Sequence, residues 1–434
     1  MRANFDAIVI GAGPAGSTAA LLLARAGWRV ALIEKQRFPR RKVCGECMAA
    51  SNLPLLDALG IGTAFSATAG PPLRHVALMR GRSVVSAALP AAAHARHRYG
   101  RALGREILDS LLLDQARAAG VHVMQPWSLQ AIDGEAGAWR CTVRSVATDA
   151  AVPLTAPVVV AANGSWEVLP SARPQAHADR RASDLLAFKA NFTNTMVPAG
   201  VLPVLAFNGG YGGMVVAEAG ITTVACCIRR DALERLRLKH PGVRAGDAVE
   251  VMLREQIFGV HSALRFASRE GAWLAAGPLN PGVRLQPDDG LFRIGNAAGE
   301  AHPIIGEGMS MAMQSAWLLC RQLMKHNPAS LTWQRGTQRV YAADWRHHFS
   351  ARMRLAQGFA VAAMQPTLAA PLLLGAMAWP GLLTAGARWG GKVHCAVDAR
   401  TLSAMACDAL PRNATGLVGG APASTRVQRM RQTP

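Results

Sequence analysis

The segment Gly11-Ala12-Gly13-Pro14-Ala15-Gly16 restricts the folds open to this chain more than any other stretch. Its G-x-G-x-x-G spacing gains weight from what surrounds it. Residues 5–10 ahead of it are apolar and β-rich, and residues 18–26 behind it are helix formers. Residues 28–33 read as a second strand, closed by Glu34 and followed by Lys35. Strand, turn, helix and strand make a βαβ unit, so the chain belongs to the α/β class. Gly11 permits the tight turn, Gly13 lets the backbone approach a pyrophosphate, and Gly16 allows the helix to pack closely on the strand. Pro14 and Ala15 lie at the helix start, where free N–H groups and the positive end of the helix dipole face phosphate. The Glu34 carboxylate accepts from a ribose hydroxyl and repels a 2′-phosphate. An adenine dinucleotide is therefore the expected ligand.

Composition narrows the partners. The chain has 434 residues, half of them hydrophobic and 17% charged, which excludes global disorder and allows two domains or one elaborate one. The formal net charge of +20 comes mostly from arginines spread along the chain, with no nucleic-acid motif, so no nucleic-acid partner is expected. Among eight cysteines, Cys44 and Cys47 have CxxC spacing. A four-ligand zinc site needs a second such pair, which is absent, so no metal is expected. Free thiols without a framework suit a reducing cytoplasm. The apolar run at 7–10 leads straight into the glycines and reads as a strand rather than a signal sequence. Residues 368–385 carry no charge and are broken by Pro371 and Pro380. They are expected to form one or two short apolar helices that dock on the body, cover an apolar substrate or touch a bilayer surface peripherally.

Three further blocks carry a resemblance. Arg41-Lys42-Val43-Cys44-Gly45-Glu46 resembles the K-x-C-G-[GE] loop of geranylgeranyl-reductase-like proteins. Gly104-Arg105-Glu106-Ile107-Leu108-Asp109, with Leu112 and Ala116, resembles the R-x-x-[FL]-D-x-x-L-x-x-x-A helix of the same group. The run from Arg293 to Met309 resembles its G-D-A-A-x-x-x-x-P-x-x-G-[EQ]-G segment. The chain thus resembles the FAD-dependent oxidoreductases of the p-hydroxybenzoate-hydroxylase type, which include geranylgeranyl reductases and flavin-dependent halogenases. The resemblance implies an FAD site. The loop with Cys44 would run past the flavin, Arg41 and Lys42 would pair with a phosphate, Gly45 would allow close backbone approach, and Arg105 would sit near the ribityl-phosphate region. Asn296, Gly299, Pro303, Gly306, Gly308 and Met309 would hold the ribityl chain and ring. Helix N–H groups after Gly308 would stabilise negative charge on the reduced flavin.

The pattern departs from that group at two places. Asn296 stands where the group has Asp, keeping an acceptor but losing a charge. Asn163 replaces the Asp of a G-A-D-G-x-x-S turn. There is no second GxGxxG, so NAD(P)H, the electron donor that the resemblance implies, has no separate domain. The WxWxIP motif expected of a halogenase, and its nearby lysine, are absent.

The fold expected is a Rossmann-type FAD-binding domain (1–70, 100–165 and 286–330) with an inserted antiparallel-sheet substrate domain (71–99 and 166–285). A C-terminal helical region (331–409) and a disordered tail (410–434) follow. Residues 201–214 lie where geranylgeranyl-reductase-like proteins line the substrate cavity. Tyr211 there is expected to orient a polar group, and His302 to serve as proton donor or base. Trp345, His347 and His348 read as parts of an amphipathic helix. Met309, Met311 and Met313 read as helix packing. Three functions stay open: a flavin monooxygenase acting on a hydrophobic aromatic or polyketide-like small molecule, a flavin reductase saturating C=C bonds of a lipid, and a flavin-bound membrane-associated protein without turnover.

Overall fold

The structure is a computed structural model that describes residues 3–165, 167, 169–170, 180–285, 289–327, 330, 333–393 and 397. The tail expected at 410–434 lies outside them.

A parallel five-stranded sheet holds the glycine turn. Its order is Phe292–Arg293, Val158–Ala161, Ala7–Ile10, Val30–Ile33, His122–Met124. The three central strands are apolar at every position and wholly buried, as a sheet covered on both faces requires. Alternation along Ala7–Ile10 sorts the side chains. Ala7 and Val9 face a helical layer, whereas Ile8 and Ile10 face a second sheet. The helical layer comprises Pro14–Arg25, Arg105–Ala118 and Gly308–Leu323, with Leu21, Leu112 and Trp317 fully buried among them. The second sheet is a small meander of Trp127–Asp133, Trp139–Ser145 and Ala151–Ala156, edged by Ala3–Asn4. Trp139, Cys141 and Val143 point inward from it at every other residue.

A seven-stranded sheet stands apart. Its order is Ser268–Leu279, Leu185–Thr193, Thr222–Arg229, Gly210–Val216, Val201–Phe207, His75–Arg80, Ser83–Ala88. The expectation of an antiparallel sheet is met at all junctions but one, since Val201–Phe207 pairs in parallel with His75–Arg80. That pairing arises because the chain returns to the first hairpin only after passing through the parallel sheet. Helices Arg230–Lys239, Ala245–Gln256 and Phe258–Ala263 follow the last antiparallel hairpin, and their apolar residues pack on one face of this sheet. The other face, with Ala187, Tyr211 and Cys227, turns toward the parallel sheet.

The long helix Gln334–Met364 buries a stripe at Tyr341, Trp345, Phe349, Ala356 and Ala360. Burying each large ring contributes about 1.5–3 kcal/mol. The helix bends by 104° into Pro366–Ala378, and Gly381–Ala387 follows. Among the described residues no single helix is long and apolar enough to cross a membrane.

Candidate functional site

The two sheets enclose a cavity of about 560 Å³ that begins at the glycine turn and ends against the seven-stranded sheet. The turn has no room for side chains. Gly11 sits at φ +100°, and a Cβ there would lie 2.5 Å from the Ala162 carbonyl oxygen. A Cβ on Gly16 would fall 1.8 Å from the Gly11 oxygen, so this residue packs beneath the turn rather than lining the cavity. Gly13 differs. The first atoms its Cβ would meet are Arg105 Nη2 at 3.7 Å and Arg40 Nη2 at 4.0 Å. Two guanidinium groups thus face the N-terminus of helix Pro14–Arg25 across a narrow gap, where Pro14 and Ala15 also border the cavity.

The charges around this gap are held firmly. Arg105 donates two hydrogen bonds of 2.7 Å to Asp109, one helical turn along and buried. Glu34 accepts from the Ala12 and Gln36 backbone N–H groups at 2.9 Å each, and Arg40 Nη2 lies 3.3 Å from it. Arg40 Nε is buried with no hydrogen-bond partner. Lys42 also lines the cavity, and burial first, then Arg40 and Arg105, lower its pKa. Three cations gathered at a helix N-terminus form an anion site that suits a pyrophosphate. Lys35, at the rim, pairs with Glu167 at 2.7 Å.

Further along, Asn163, Ser165, Asn296 and Glu300 form a polar wall. Asn296 Nδ2 donates to Ser165 Oγ at 2.8 Å, and Ser165 Oγ donates to Glu300 Oε1 at 2.8 Å. The Asn163 side-chain oxygen is buried and unpartnered. An orphaned acceptor on the wall suits a hydroxylated chain such as ribityl. Beyond it, Pro303, Gly306, Gly308 and Met309 border the cavity where helix Gly308–Leu323 begins. Gly306 takes φ +61°, a left-handed turn that aims the helix N-terminus at the cavity.

Cys44, Gly45 and Glu46 close the side between the sheets. The buried Glu46 carboxylate accepts from Arg105 N at 3.0 Å, from Lys189 Nζ and from Thr223 Oγ1. Lys189 and Thr223 belong to the seven-stranded sheet, so this carboxylate ties that sheet to the N-terminus of helix Arg105–Ala118. Removing one partner of such a buried pair costs about 3–5 kcal/mol. Cys47 is buried and its thiol is pushed up to about 11, chiefly by burial, which leaves it protonated. Among the described residues no cluster of three or more His, Cys, Asp or Glu could hold a metal ion.

At the far end the wall is apolar, with Ala187, Leu202, Val204 and Val215. Tyr211 is its polar exception, 1% exposed. Its hydroxyl lies 3.1 Å from His302 Nδ1. Burial lowers the His302 pKa, so the ring is neutral near pH 7. Burial first, and Cys227 next, raise the Tyr211 pKa well above the ordinary phenol value. A neutral phenol and a neutral imidazole in contact can pass a proton between cavity and exterior.

Three sequence-derived assignments fall elsewhere. Arg41 points outward, 3.2 Å from Glu106 and from the Glu270 carbonyl. The run from Arg40 to Lys42 is irregular and alternates sides, which turns Arg40 and Lys42 in and Arg41 out. Gly299 packs under Trp345, whose ring lies 2.5 Å from where a Cβ would stand. His302 is absent from the cavity wall and reaches it through Tyr211. Sequence reasoning passed over Arg40, Lys189 and the buried role of Glu46. Arg40 was visible only as one member of the basic run, and the pairing of Lys189 carries no local signal.

Comparison with known proteins bears on this geometry. The family model described as FAD binding domain matches residues 4–329. The chain is 26% identical over 373 residues to conditioned medium factor receptor 1 of Dictyostelium discoideum, covering 81% of this chain and 70% of that protein. It is 27% identical over 346 residues to kynurenine 3-monooxygenase of Salinispora arenicola, covering 74% and 72%. The myxobacterial chondrochloren halogenase superposes with a TM-score of 0.72 at 19% identity, covering 94% of this chain and 97% of that one. A geranylgeranyl bacteriochlorophyll reductase-like protein of Thermoplasma acidophilum gives 0.65 at 18% identity, covering 95% and 98%. At these identities the solved structures speak for the fold.

Proposed function

This chain belongs to the FAD binding domain family and is an FAD-dependent oxidoreductase, and from that premise we propose that it is a monooxygenase acting on a hydrophobic aromatic or polyketide-like small molecule, with NAD(P)H as electron donor. One observation carries the reading. A single cavity joins an anion cradle at Gly13 to an apolar chamber whose polar feature is the Tyr211 hydroxyl. The residues fit FAD end to end: Arg40, Lys42 and Arg105 for the pyrophosphate, Glu34 for the adenosine ribose, Asn163 and Asn296 for the ribityl chain, and the Gly306–Met309 loop for the ring. Bound FAD supplies electron transfer to oxygen and oxygen transfer to substrate.

The chain's own residues do the rest. Leu202, Val204 and Val215 exclude water and hold an apolar substrate at the ring end. Tyr211 donates its hydroxyl proton to a substrate oxygen, and His302, neutral at working pH, returns a proton to it. The FAD-holding part is proposed to comprise residues 1–70, 100–165 and 286–330, and the substrate-holding part 71–99 and 166–285. Helix Pro366–Ala378 exposes Leu372, Leu374 and Met377, the connecting Trp379 is exposed too, helix Gly381–Ala387 exposes Leu382, and we propose that this apolar surface makes peripheral membrane contact.

A lipid C=C reductase is the second reading. It is favoured by the Cys44–Gly45–Glu46 loop at the cavity and by that same apolar surface. Turnover under ¹⁸O₂ separates the two. A monooxygenase product gains one labelled oxygen atom and none forms without oxygen. Product that instead gains two hydrogens under nitrogen would overturn the monooxygenase reading in favour of the reductase.

A further inference from the structure

Behind the ring end of the cavity stands a residue from far outside the segment that the family model matches. The glutamate of the loop, Glu307, is fully buried, and among the described residues its carboxylate meets no polar partner but one ammonium. Among the described residues its one ion pair is with Lys392 Nζ, at 3.0 Å. The same ammonium donates to the Gly306 carbonyl at 3.4 Å and lies 3.3 Å from where a Gly306 Cβ would stand. Lys392 is largely buried, its side chain 15% exposed. It ends the turn Arg388–Lys392, which is fastened independently. Ser51 Oγ donates to the Gly391 carbonyl at 3.2 Å, and Arg352 Nη1 lies 3.0 Å from where a Gly391 Cβ would stand.

Two residues that border the cavity, Gly306 and Gly308, flank Glu307 directly in the chain. A carboxylate there, without its cation, would set an uncompensated negative charge beside the place where a reduced flavin gains one. Helix Gly308–Leu323 offsets part of that charge, because its N-terminus begins at the next residue. Lys392 offsets the rest and pins the carbonyl that shapes the turn.

We infer that Lys392 is a positioning residue of the FAD site: its ion pair with Glu307 and its contact with Gly306 hold the loop under the ring and cancel the carboxylate's charge there. The inference rests on the FAD assignment and concerns the potential and affinity of the bound flavin rather than the substrate. It also gives the C-terminal segment a task, since Lys392 reaches the loop only when residues 334–392 have packed.

The test uses the FAD-loaded protein and reads FAD affinity and midpoint potential, not turnover. Lys392→Met leaves the buried Glu307 carboxylate without its cation. FAD is expected to bind about tenfold more weakly, and the reduced form to lose a further tenfold relative to the oxidised form. That lowers the two-electron potential by about 30 mV. Glu307→Gln leaves the cation unpaired and is expected to raise the potential. The family pattern itself admits Gln at this position, so this variant should fold. Lys392→Met with Glu307→Gln restores the native potential, and Lys392→Arg retains it. Unchanged potential and affinity in Lys392→Met, or shifts of the same sign in both single variants, would overturn the inference. If Lys392→Met does not fold, Glu307→Gln decides alone, and an unchanged or lowered potential sinks it. Failure of the native protein to bind FAD at all would instead remove the assignment on which this rests.

Discussion

Neighbouring arginines make a sharp prediction. Arg40 and Arg41 are adjacent and chemically identical, yet only Arg40 faces the Gly13 turn. Its side chain is 10% exposed, and its nearest charges are Glu34 at 3.3 Å and Asp109 at 3.7 Å. Removal as Arg40→Met leaves Glu34 with its two backbone donors and Asp109 with Arg105, so the fold survives. What is lost is a charge-assisted hydrogen bond to pyrophosphate, worth about 1.5–3 kcal/mol. That converts to a roughly ten- to hundredfold weaker FAD dissociation constant. Arg41→Met removes an exposed pair, 40% and 38% exposed on its two sides, worth about 0–1 kcal/mol of stability and nothing in FAD binding. Titration of flavin fluorescence into apoprotein, at fixed salt, reads both constants. Equal weakening by the two variants would refute the assignment of sides, and so would native affinity in Arg40→Met.

The remaining expectations are simpler. Gly16→Ala places a Cβ 1.8 Å from the Gly11 oxygen, so helix and turn must separate at a cost of at least about 1–3 kcal/mol. A urea midpoint within experimental error of native would contradict the packing described. Tyr211→Phe deletes only the hydroxyl that meets His302 at 3.1 Å, so FAD affinity should stay within about twofold while kcat falls by about a hundredfold. An unchanged kcat would remove the pair from the proton path. Burial lowers the His302 pKa beneath the ordinary value of about 6.5. The unfolded chain therefore takes up that proton first as pH falls. The stability this site contributes is full above about pH 6.5 and is lost as pH drops through the folded-state pKa. Turnover should share that low-pH limb, and a limb that persists unmoved in His302→Asn would assign it to another group.

What the sequence disclosed is what local chemistry encodes. The βαβ unit was legible because strand, glycines and helix are contiguous, and the Arg293–Met309 block because its glycine and proline spacing is tied to one turn and one helix start. The alternation of Ile8 and Ile10 against Ala7 and Val9 follows from the pleat alone. Facing was harder. Arg40, Arg41 and Lys42 share a charge, and only the path of an irregular loop decides which of them turns inward. Gly299 looked like part of the cradle because it lies in the block, but long-range packing of Trp345 claims it. Contacts distant in sequence left no trace. Glu46 meets Lys189 from a loop against the seven-stranded sheet, and Glu307 meets Lys392 through a C-terminal turn, and nothing in the spacing of either pair announces it. The orphaned acceptor of Asn163 likewise becomes visible only once the cavity around it exists.

The most direct measurement is a titration of purified chain, stripped of any bound flavin, with FAD and separately with FMN. The cradle of Gly13, Arg40 and Arg105 recognises a pyrophosphate, and Glu34 a second ribose, so one FAD should bind per chain and FMN at least about a hundredfold more weakly. Folded protein that takes up neither, or that binds FMN as tightly as FAD, would contradict the assignment of this cavity.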